Sequence, residues 1–146
     1  MPTPTILIKR FDLELPLPEY KTDGAAAFDL SARTETVVPA GGVAYVPLNV
    51  AIKLPNRHVA LLFARSSLHK KGLIPANAVG VIDEDYCGDT DEIQAALQNF
   101  SQQDVTVARG DRVMQVVVLP VDRFQLLAVD SLSEKSRGGF GTTGDK

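Results

Sequence analysis

The sequence predicts an all-β fold, a sandwich or jelly roll, and three observations carry that prediction. Its apolar stretches are short and rich in Val, Ile and Leu, which favours strands over helices. Turn signals built on Gly, Pro, Asn and Asp separate them. The length of 146 residues, with 45% hydrophobic and 23% charged residues, is that of one ordinary globular domain able to bury its own core.

In chain order, "TILIKRF" reads as the first strand. The longer "TVVPAGGVAYVPLNVAIKL" holds further strands, broken by a turn at Pro39-Ala40-Gly41-Gly42 and closed by Pro55-Asn56. "HVALLFA" is the next strand. It runs into Ser66 to Lys71, which reads as one short helical turn capped by a serine hydroxyl. "AVGVI" follows as a strand. "DEIQAALQNF" carries helix-forming residues but alternates Ile93, Ala95 and Leu97 against Gln94, Ala96 and Gln98, the period of a strand. "DVTVARGDRVMQVVVLPV" reads as strand, turn at Ala108-Arg109-Gly110-Asp111, and strand. Residues 1–134 are expected to form the β domain. Residues 135–146 form a flexible arm, because the glycine-rich "RGGFGTTG" loses much backbone entropy on ordering.

The net charge of −3 speaks against a nucleic-acid duplex as partner, which calls for a basic face, but leaves a small anionic ligand open. A single cysteine, Cys87, excludes an internal disulfide and fits a reducing compartment. With neither a membrane-spanning apolar run nor a cleavable leader in view, the expectation is a cytoplasmic protein, or a nuclear one in a eukaryote.

Several stretches carry candidate chemistry. In "NAVGVIDEDYCGD", Asp83 follows apolar Val81-Ile82, a setting that can raise a carboxylate's basicity and aim it as a general base. An acidic hairpin turn facing solvent is the commoner origin of such a stretch. In "ARSSLHKKGLI", Arg65, Ser66 and Ser67 stand where a strand meets a helical turn; they suit a phosphate, or equally an ordinary helix cap. Asp29 in "AAAFDLSA" and Gln115 in "RGDRVMQVVV" are lone polar groups in apolar runs, as satisfied core groups often are. There is no P-loop signature, zinc spacing, EF-hand spacing or nucleophile triad. Gly139 to Gly144 satisfies G-x-G-x-x-G, but lacks the helix that a dinucleotide fingerprint needs after it.

Taken in order, these pieces resemble the five motifs of the deoxyuridine triphosphatase (dUTPase) family, of the trimeric all-β kind. They are Ala26 to Leu30, Ala64 to Ser67 with Gly72-Leu73, Asn77 to Gly88, Arg109 to Gln115, and the glycine-rich end. The resemblance spans residues 26–144 and implies an enzyme: a homotrimeric jelly roll that hydrolyses magnesium-bound dUTP to dUMP and pyrophosphate. It casts Asp83 as the base that orients a water onto the α-phosphorus, and Arg65, Ser66 and Ser67 as phosphate-binding residues. Asp29 and Gln115 would meet the waters of Mg2+ and the α-phosphate. Tyr86 would stack on the deoxyribose and exclude a 2′-hydroxyl. Asn77 and the backbone of Gly80, Val81 and Ile82 would read uracil. The arm would close from a neighbouring subunit, with Phe140 stacked on the base and Gly139, Gly141, Thr142 and Thr143 around the phosphates.

Three departures from the family pattern stand out. Lys135 occupies the usual arginine position five residues before the phenylalanine, and Arg137 lies three before it; Arg137 is favoured at the γ-phosphate for its bidentate reach. Asp89-Thr90-Asp91 reads as an insertion between Gly88 and Glu92. Ala27 and Met114 replace a common glycine and alanine. The alternatives are a dCTP deaminase of the same superfamily, and a nucleotide-binding regulatory module without turnover.

Overall fold

The computed structural model describes residues 2–142 and residue 144; Thr143, expected in the arm, lies outside the described residues. Among these, the strands are β1 (Leu7–Arg10), β2 (Phe28–Ser31), β3 (Thr36–Val38), β4 (Val43–Pro47), β5 (Val50–Lys53), β6 (His58–Ala64), β7 (Leu73–Pro75), β8 (Gly80–Ile82), β9 (Gln94–Asn99), β10 (Val105–Val107) and β11 (Arg112–Pro120). Every pairing between them is antiparallel. They form a four-stranded sheet in the order β2-β11-β6-β8, a three-stranded sheet β4-β9-β7, and the ribbons β1-β5 and β3-β10. The all-β jelly-roll expectation is met.

The turns fall where the sequence placed them, and "DEIQAALQNF" is a strand: Ala95, Leu97 and Asn99 are buried while Gln94 and Gln98 are exposed. Two strands lie outside the predicted set. β2 and β7, of 4 and 3 residues, are too short to show a period, and each is recruited by a longer neighbour, β11 or β9. The predicted helical turn is a 3-10 turn at Leu68–Lys71. Its expected serine cap is corrected: Ser67 sits at the N-cap in a right-handed helical conformation, with no side-chain capping bond. The Leu68 N–H is satisfied instead by the Arg65 carbonyl at 3.0 Å.

One apolar core joins all these sheets. Leu30, Val38, Val46, Leu62, Leu73, Leu97, Met114 and Val116 lie within it, contributed at alternate positions so that the intervening residues face outward. Gly80 is where the paired strands β6 and β8 need a small residue: a Cβ there would stand 3.0 Å from the Leu62 Cβ. Among the described residues, every buried side-chain nitrogen and oxygen has a hydrogen-bond partner. Asn99, entirely buried, donates to the carbonyls of Val38 and Gln103 at 3.0 and 2.7 Å, and accepts from the Ser101 N–H and hydroxyl at 2.9 and 2.7 Å. It thereby ties the end of β9 to β3 and to the turn that leads into β10.

Regular structure ends at Pro120, ahead of the expected boundary at residue 134. Residues 121–134 run on without strand or helix, and Phe124, Leu126, Leu127 and Leu132 are 79%, 94%, 79% and 84% exposed.

Because Asn99 satisfies several groups that no apolar side chain can reach, Asn99→Ala is expected to cost about 2–4 kcal/mol. Urea unfolding of both proteins at one matched concentration measures it, and a loss below about 0.5 kcal/mol would show that the Asn99 network contributes little.

Candidate functional site

The four-stranded sheet assembles one group of predicted residues through its register. Gln115 of β11 lies directly opposite Asp29 of β2 and Phe63 of β6. Their inward neighbours Phe28, Leu30, Met114 and Val116 are buried, so Asp29 and Gln115 share the outer face. Arg65, just past the end of β6, continues that face two residues beyond Phe63.

The register of β11 against β2 shifts between Arg112 and Met114, so that Arg112 pairs with Ser31. In an unshifted ladder Val113 would hold that place. The bulge buries Val113 and turns Arg112 to the face of Asp29. Both arginines then meet one carboxylate: Arg65 Nε and Arg112 Nη1 lie 3.1 and 3.3 Å from Asp29 Oδ2. Arg65 Nη1 also donates to the Arg112 carbonyl at 3.1 Å, and Gln115 Nε2 to the Ala64 carbonyl at 2.9 Å. Two cations on one anion leave a local positive surplus, although the chain is acidic overall. Ser66 and Ser67, beside Arg65, are exposed, and their hydroxyls make no hydrogen bond to the described residues.

A second group gathers elsewhere. A cavity of about 480 Å³ is lined by Asn77, Val81, Ile82, Asp83 and Tyr86, together with Tyr45, Glu92, Ile93, Gln94 and Ala96. Asn77 enters from the β7–β8 loop, where its carbonyl accepts from the Val79 N–H at 2.7 Å. Tyr45, Gln94 and Ala96 come from the outward positions of the β4–β9 pair, whose inward partners are Val46 and Ala95. Asp83 directly follows β8 and is exposed; its carbonyl accepts from the Tyr86 N–H at 3.1 Å. The cavity floor rests on Glu92, whose carboxylate accepts from Arg33 Nε and Nη2 at 2.7 and 2.9 Å and from the Asn49 N–H at 2.9 Å. The Glu92 hydrogen bonds push the Arg33 pKa above its ordinary value, keeping it a cation.

The two groups do not meet within one chain. Ile82 pairs with Ala60, so Asp83 stands beside the start of β6, whereas Arg65 follows its end. β6 is 7 residues long, and at roughly 3.3 Å per residue the strand separates them by about 20 Å.

The third group, the arm, is exposed. Thr142 closes a turn on Gly139, its Oγ1 accepting from the Gly139 N–H at 2.7 Å and donating to the Gly139 carbonyl at 2.6 Å. Gly138 and Gly141 take positive φ angles of 85° and 84°, and Phe140 between them has φ 51°. Its ring is fully exposed. Arg137 is likewise exposed and meets no carboxylate among the described residues.

Arg109, which opens the fourth sequence motif, turns away from all three groups. It binds Asp12 Oδ2 through Nη2 and Nε at 2.6 and 3.0 Å and Glu14 Oε2 at 3.0 Å. Its hydrogen bonds hold the Asp12 pKa below the ordinary carboxylate value and raise that of Arg109. Sequence reasoning missed Arg112, which only the bulge brings to Asp29. It also missed Tyr45, Gln94 and Arg33, for which strand alternation and an isolated charge were the only available signals; Glu92 was read as the residue after the insertion, without its place at this cavity. Among the described residues, no three His, Cys, Asp or Glu side chains gather as a metal site.

The dUTPase family model matches residues 14–144. The chain is similar to the deoxyuridine 5′-triphosphate nucleotidohydrolase of Anaplasma marginale, 43% identical over 135 residues, covering 89% of this chain and 90% of that one. Among solved structures it resembles a dUTPase from Streptococcus mutans, with 33% identity, a TM-score of 0.74, and coverage of 81% of this chain and 98% of that one. The dUTPase of Staphylococcus bacteriophage 80alpha, solved with dUPNHPP, shares the fold at a TM-score of 0.85 and 21% identity, over 97% of this chain and 99% of that one. With the family model covering most of its length and relatives this similar, the chain belongs to the dUTPase family.

Proposed function

We propose that the chain is a dUTP diphosphatase that hydrolyses dUTP to dUMP and pyrophosphate as a homotrimer whose active sites are shared between subunits. The observation that carries this reading is the separation of its two half-sites: an arginine-rich face suited to phosphates and an acid-bearing cavity suited to a nucleoside lie at opposite ends of β6. Neither suffices alone, and copies of the chain can bring the face of one to the cavity of another. The exposed apolar side chains of residues 121–134 support association, since a lone chain leaves them in water.

In this reading Asn77 and the Gly80–Ile82 backbone recognise uracil, and Tyr86 fills the space of a 2′-hydroxyl. A mispaired donor or acceptor in such a cavity is costly, which rejects other bases. Arg65 and Arg112, with the Ser66 and Ser67 hydroxyls, bind the phosphates. Arg65 spends Nε on Asp29 and Nη1 on the Arg112 carbonyl, leaving Nη2 to turn outward. Asp83 accepts a proton from a water and aims it at the α-phosphorus, work that consists mainly of positioning and charge neutralisation. The arm closes over the nucleotide, Phe140 on the base and its glycines and threonines on the phosphates, with Arg137 at the γ-phosphate.

A magnesium ion on the triphosphate, when bound, supplies neutralisation of phosphate charge. Asp29 already serves two arginines, so the fit is to an ion carried by the substrate and touched by Asp29 and Gln115 through water. The unpaired thiol of Cys87 supports a reducing compartment, the cytoplasm or a eukaryotic nucleus.

Pyrophosphate release from dUTP tests the reading directly; ammonia release from dCTP would favour the deaminase, and binding without either product a regulatory module. Asp83→Asn is expected to keep nucleotide affinity and lower kcat by roughly two to four powers of ten, and an unchanged kcat would remove Asp83 from the role of base.

Subunit sharing has its own signature. Asp83→Asn and Arg65→Ala proteins, each inactive alone, should regain activity when unfolded and refolded together. Random mixing of subunits leaves about a quarter of the sites with both residues intact. Persistently inactive mixtures, despite mixed trimers on a sizing column, would place both residues in one chain's site.

Deleting residues 137–146 is expected to leave the melting temperature nearly unchanged and to abolish most turnover. Full activity without the arm would make it a tail with no part in catalysis.

A further inference from the structure

Tyr86 sits in a segment without regular structure, between the end of β8 and the start of β9. Its ring is 41% exposed, so core packing does not fix where it points. Two hydrogen bonds do. The Tyr86 N–H donates to the Asp83 carbonyl at 3.1 Å, and the phenolic hydroxyl donates to the Glu92 main-chain carbonyl at 3.1 Å. The second bond alone reaches the far end of the ring.

The Glu92 carbonyl belongs to a peptide unit whose N–H, that of Ile93, donates to the Val50 carbonyl at 2.8 Å; its position also depends on how Glu92 itself is held. The Glu92 N–H bonds the Thr90 carbonyl at 2.9 Å, within the Asp89-Thr90-Asp91 insertion. There Asp91 holds the Gly88 N–H through Oδ2 at 2.7 Å. The side-chain attachment is the buried carboxylate, gripped by both Arg33 nitrogens and by the Asn49 N–H. Arg33 is anchored in turn, its N–H on the Pro47 carbonyl at 2.8 Å and its guanidinium 5.9 Å from the centre of the Phe11 ring. Arg33 lines no part of the Tyr86 cavity; it opens on a separate hollow beside Phe11, Asp12 and Arg109.

We infer that Arg33 is a positioning residue for sugar selection: by gripping the Glu92 carboxylate it fixes the carbonyl that holds the Tyr86 hydroxyl, and so keeps the ring where a 2′-hydroxyl would go. The inference rests on the dUTP reading of the same cavity. A ring released at its hydroxyl end can tilt, admitting the ribose that a fixed ring rejects. The effect should therefore appear in the choice between dUTP and UTP rather than in uniform binding.

A double-mutant cycle tests it. Tyr86→Phe removes the hydroxyl and keeps the ring. Arg33→Lys keeps the charge and breaks the two-pronged grip. The ratio of kcat/KM for dUTP to that for UTP is measured for the parent, both single variants and the pair, beside each melting temperature. Each single change is expected to lower the ratio about 3- to 10-fold, the worth of one hydrogen bond, and the pair to lower it no further, because both act through one bond. Glu92→Gln, which keeps the side chain's shape, should match Arg33→Lys and replaces it if the latter fails to fold. An Arg33→Lys or Glu92→Gln protein with the parent's ratio and a lower melting temperature would make the pair purely structural. Losses that multiply in the double variant would place Arg33 and Tyr86 on independent routes. Either result overturns this inference while leaving dUTP hydrolysis standing; a parent that turns over neither nucleotide, or both alike, overturns the dUTP reading as well.

Discussion

The buried Glu92 carboxylate is the constraint on which the cavity beside Tyr86, the proposed nucleoside half-site, depends. An ionised carboxylate removed from water costs several kcal/mol unless charge and hydrogen bonds replace its hydration, and here three donors do so. Meeting that requirement dictates local conformation well beyond Glu92. For its N–H to reach the carboxylate, Asn49 adopts a φ of 70°, and its side chain then takes both the N–H and the carbonyl of Asp12, at 2.6 and 3.1 Å. Arg109 closes the far side of Asp12. One carboxylate thus draws the N-terminal segment, the β4–β5 connection and the entry to β9 to a common point. A pair of this kind contributes little net stability beside a well-packed apolar equivalent. Its value lies in the geometry it enforces, because no apolar cluster would gather Arg33, Asn49 and Glu92 at one point.

The second organising element is β6, which acts as a spacer. Its pairing with β8 at one end and with β11 along its length places the acid and the arginines apart in a way that side-chain motion cannot bridge. Several features that look unfavourable in one chain acquire a reason from this. Asp83 is exposed, Phe140 stands fully in water on a positive-φ backbone, and residues 121–134 display apolar side chains without a core to receive them. The proposed trimer would give each of these groups a surface that its own chain does not provide.

Much of the fold was legible because the chain alternates cleanly. The β-branched runs, the Pro39-Gly42 turn and the 91–100 strand all follow from period and turn chemistry, since local preference and tertiary packing agree there. β2 and β7 were not legible, because strands of 4 and 3 residues take their conformation from the neighbour they pair with. Ser67 was misread for a related reason: a short 3-10 turn satisfies its first N–H from the preceding backbone and leaves the hydroxyl unused. At the site, Asp29 and Gln115 were legible as lone polar groups in apolar runs, Arg65 as part of a strand-to-turn junction, and all three as motif positions. Their union on one face required the register. Arg112 was hidden by a one-residue slip that inverts its side. The pairing of Arg33 with Glu92 was hidden by a sequence separation of 59 residues, across which no local pattern operates.

The pairing of Asp29 with two arginines bears on how an acidic protein receives a polyanion. Unpaired arginines beside one another would repel and spread, and a ligand would bear the entropy of ordering both side chains. Asp29 removes much of that cost in advance by holding Nε of Arg65 and Nη1 of Arg112, while the Arg112 carbonyl holds Arg65 Nη1. The carboxylate cancels only one of the two positive charges, so the surplus still attracts phosphate at short range. Moving Asp29 out of reach would raise the positive charge yet loosen its aim. Phosphoryl transfer gains more from aim than from charge alone, because the attacking water and the leaving oxygen must lie in line. The same logic governs both halves of the proposed site: Asp29 holds the arginines proposed to face the phosphates, and Arg33 holds the Glu92 carboxylate behind the Tyr86 ring.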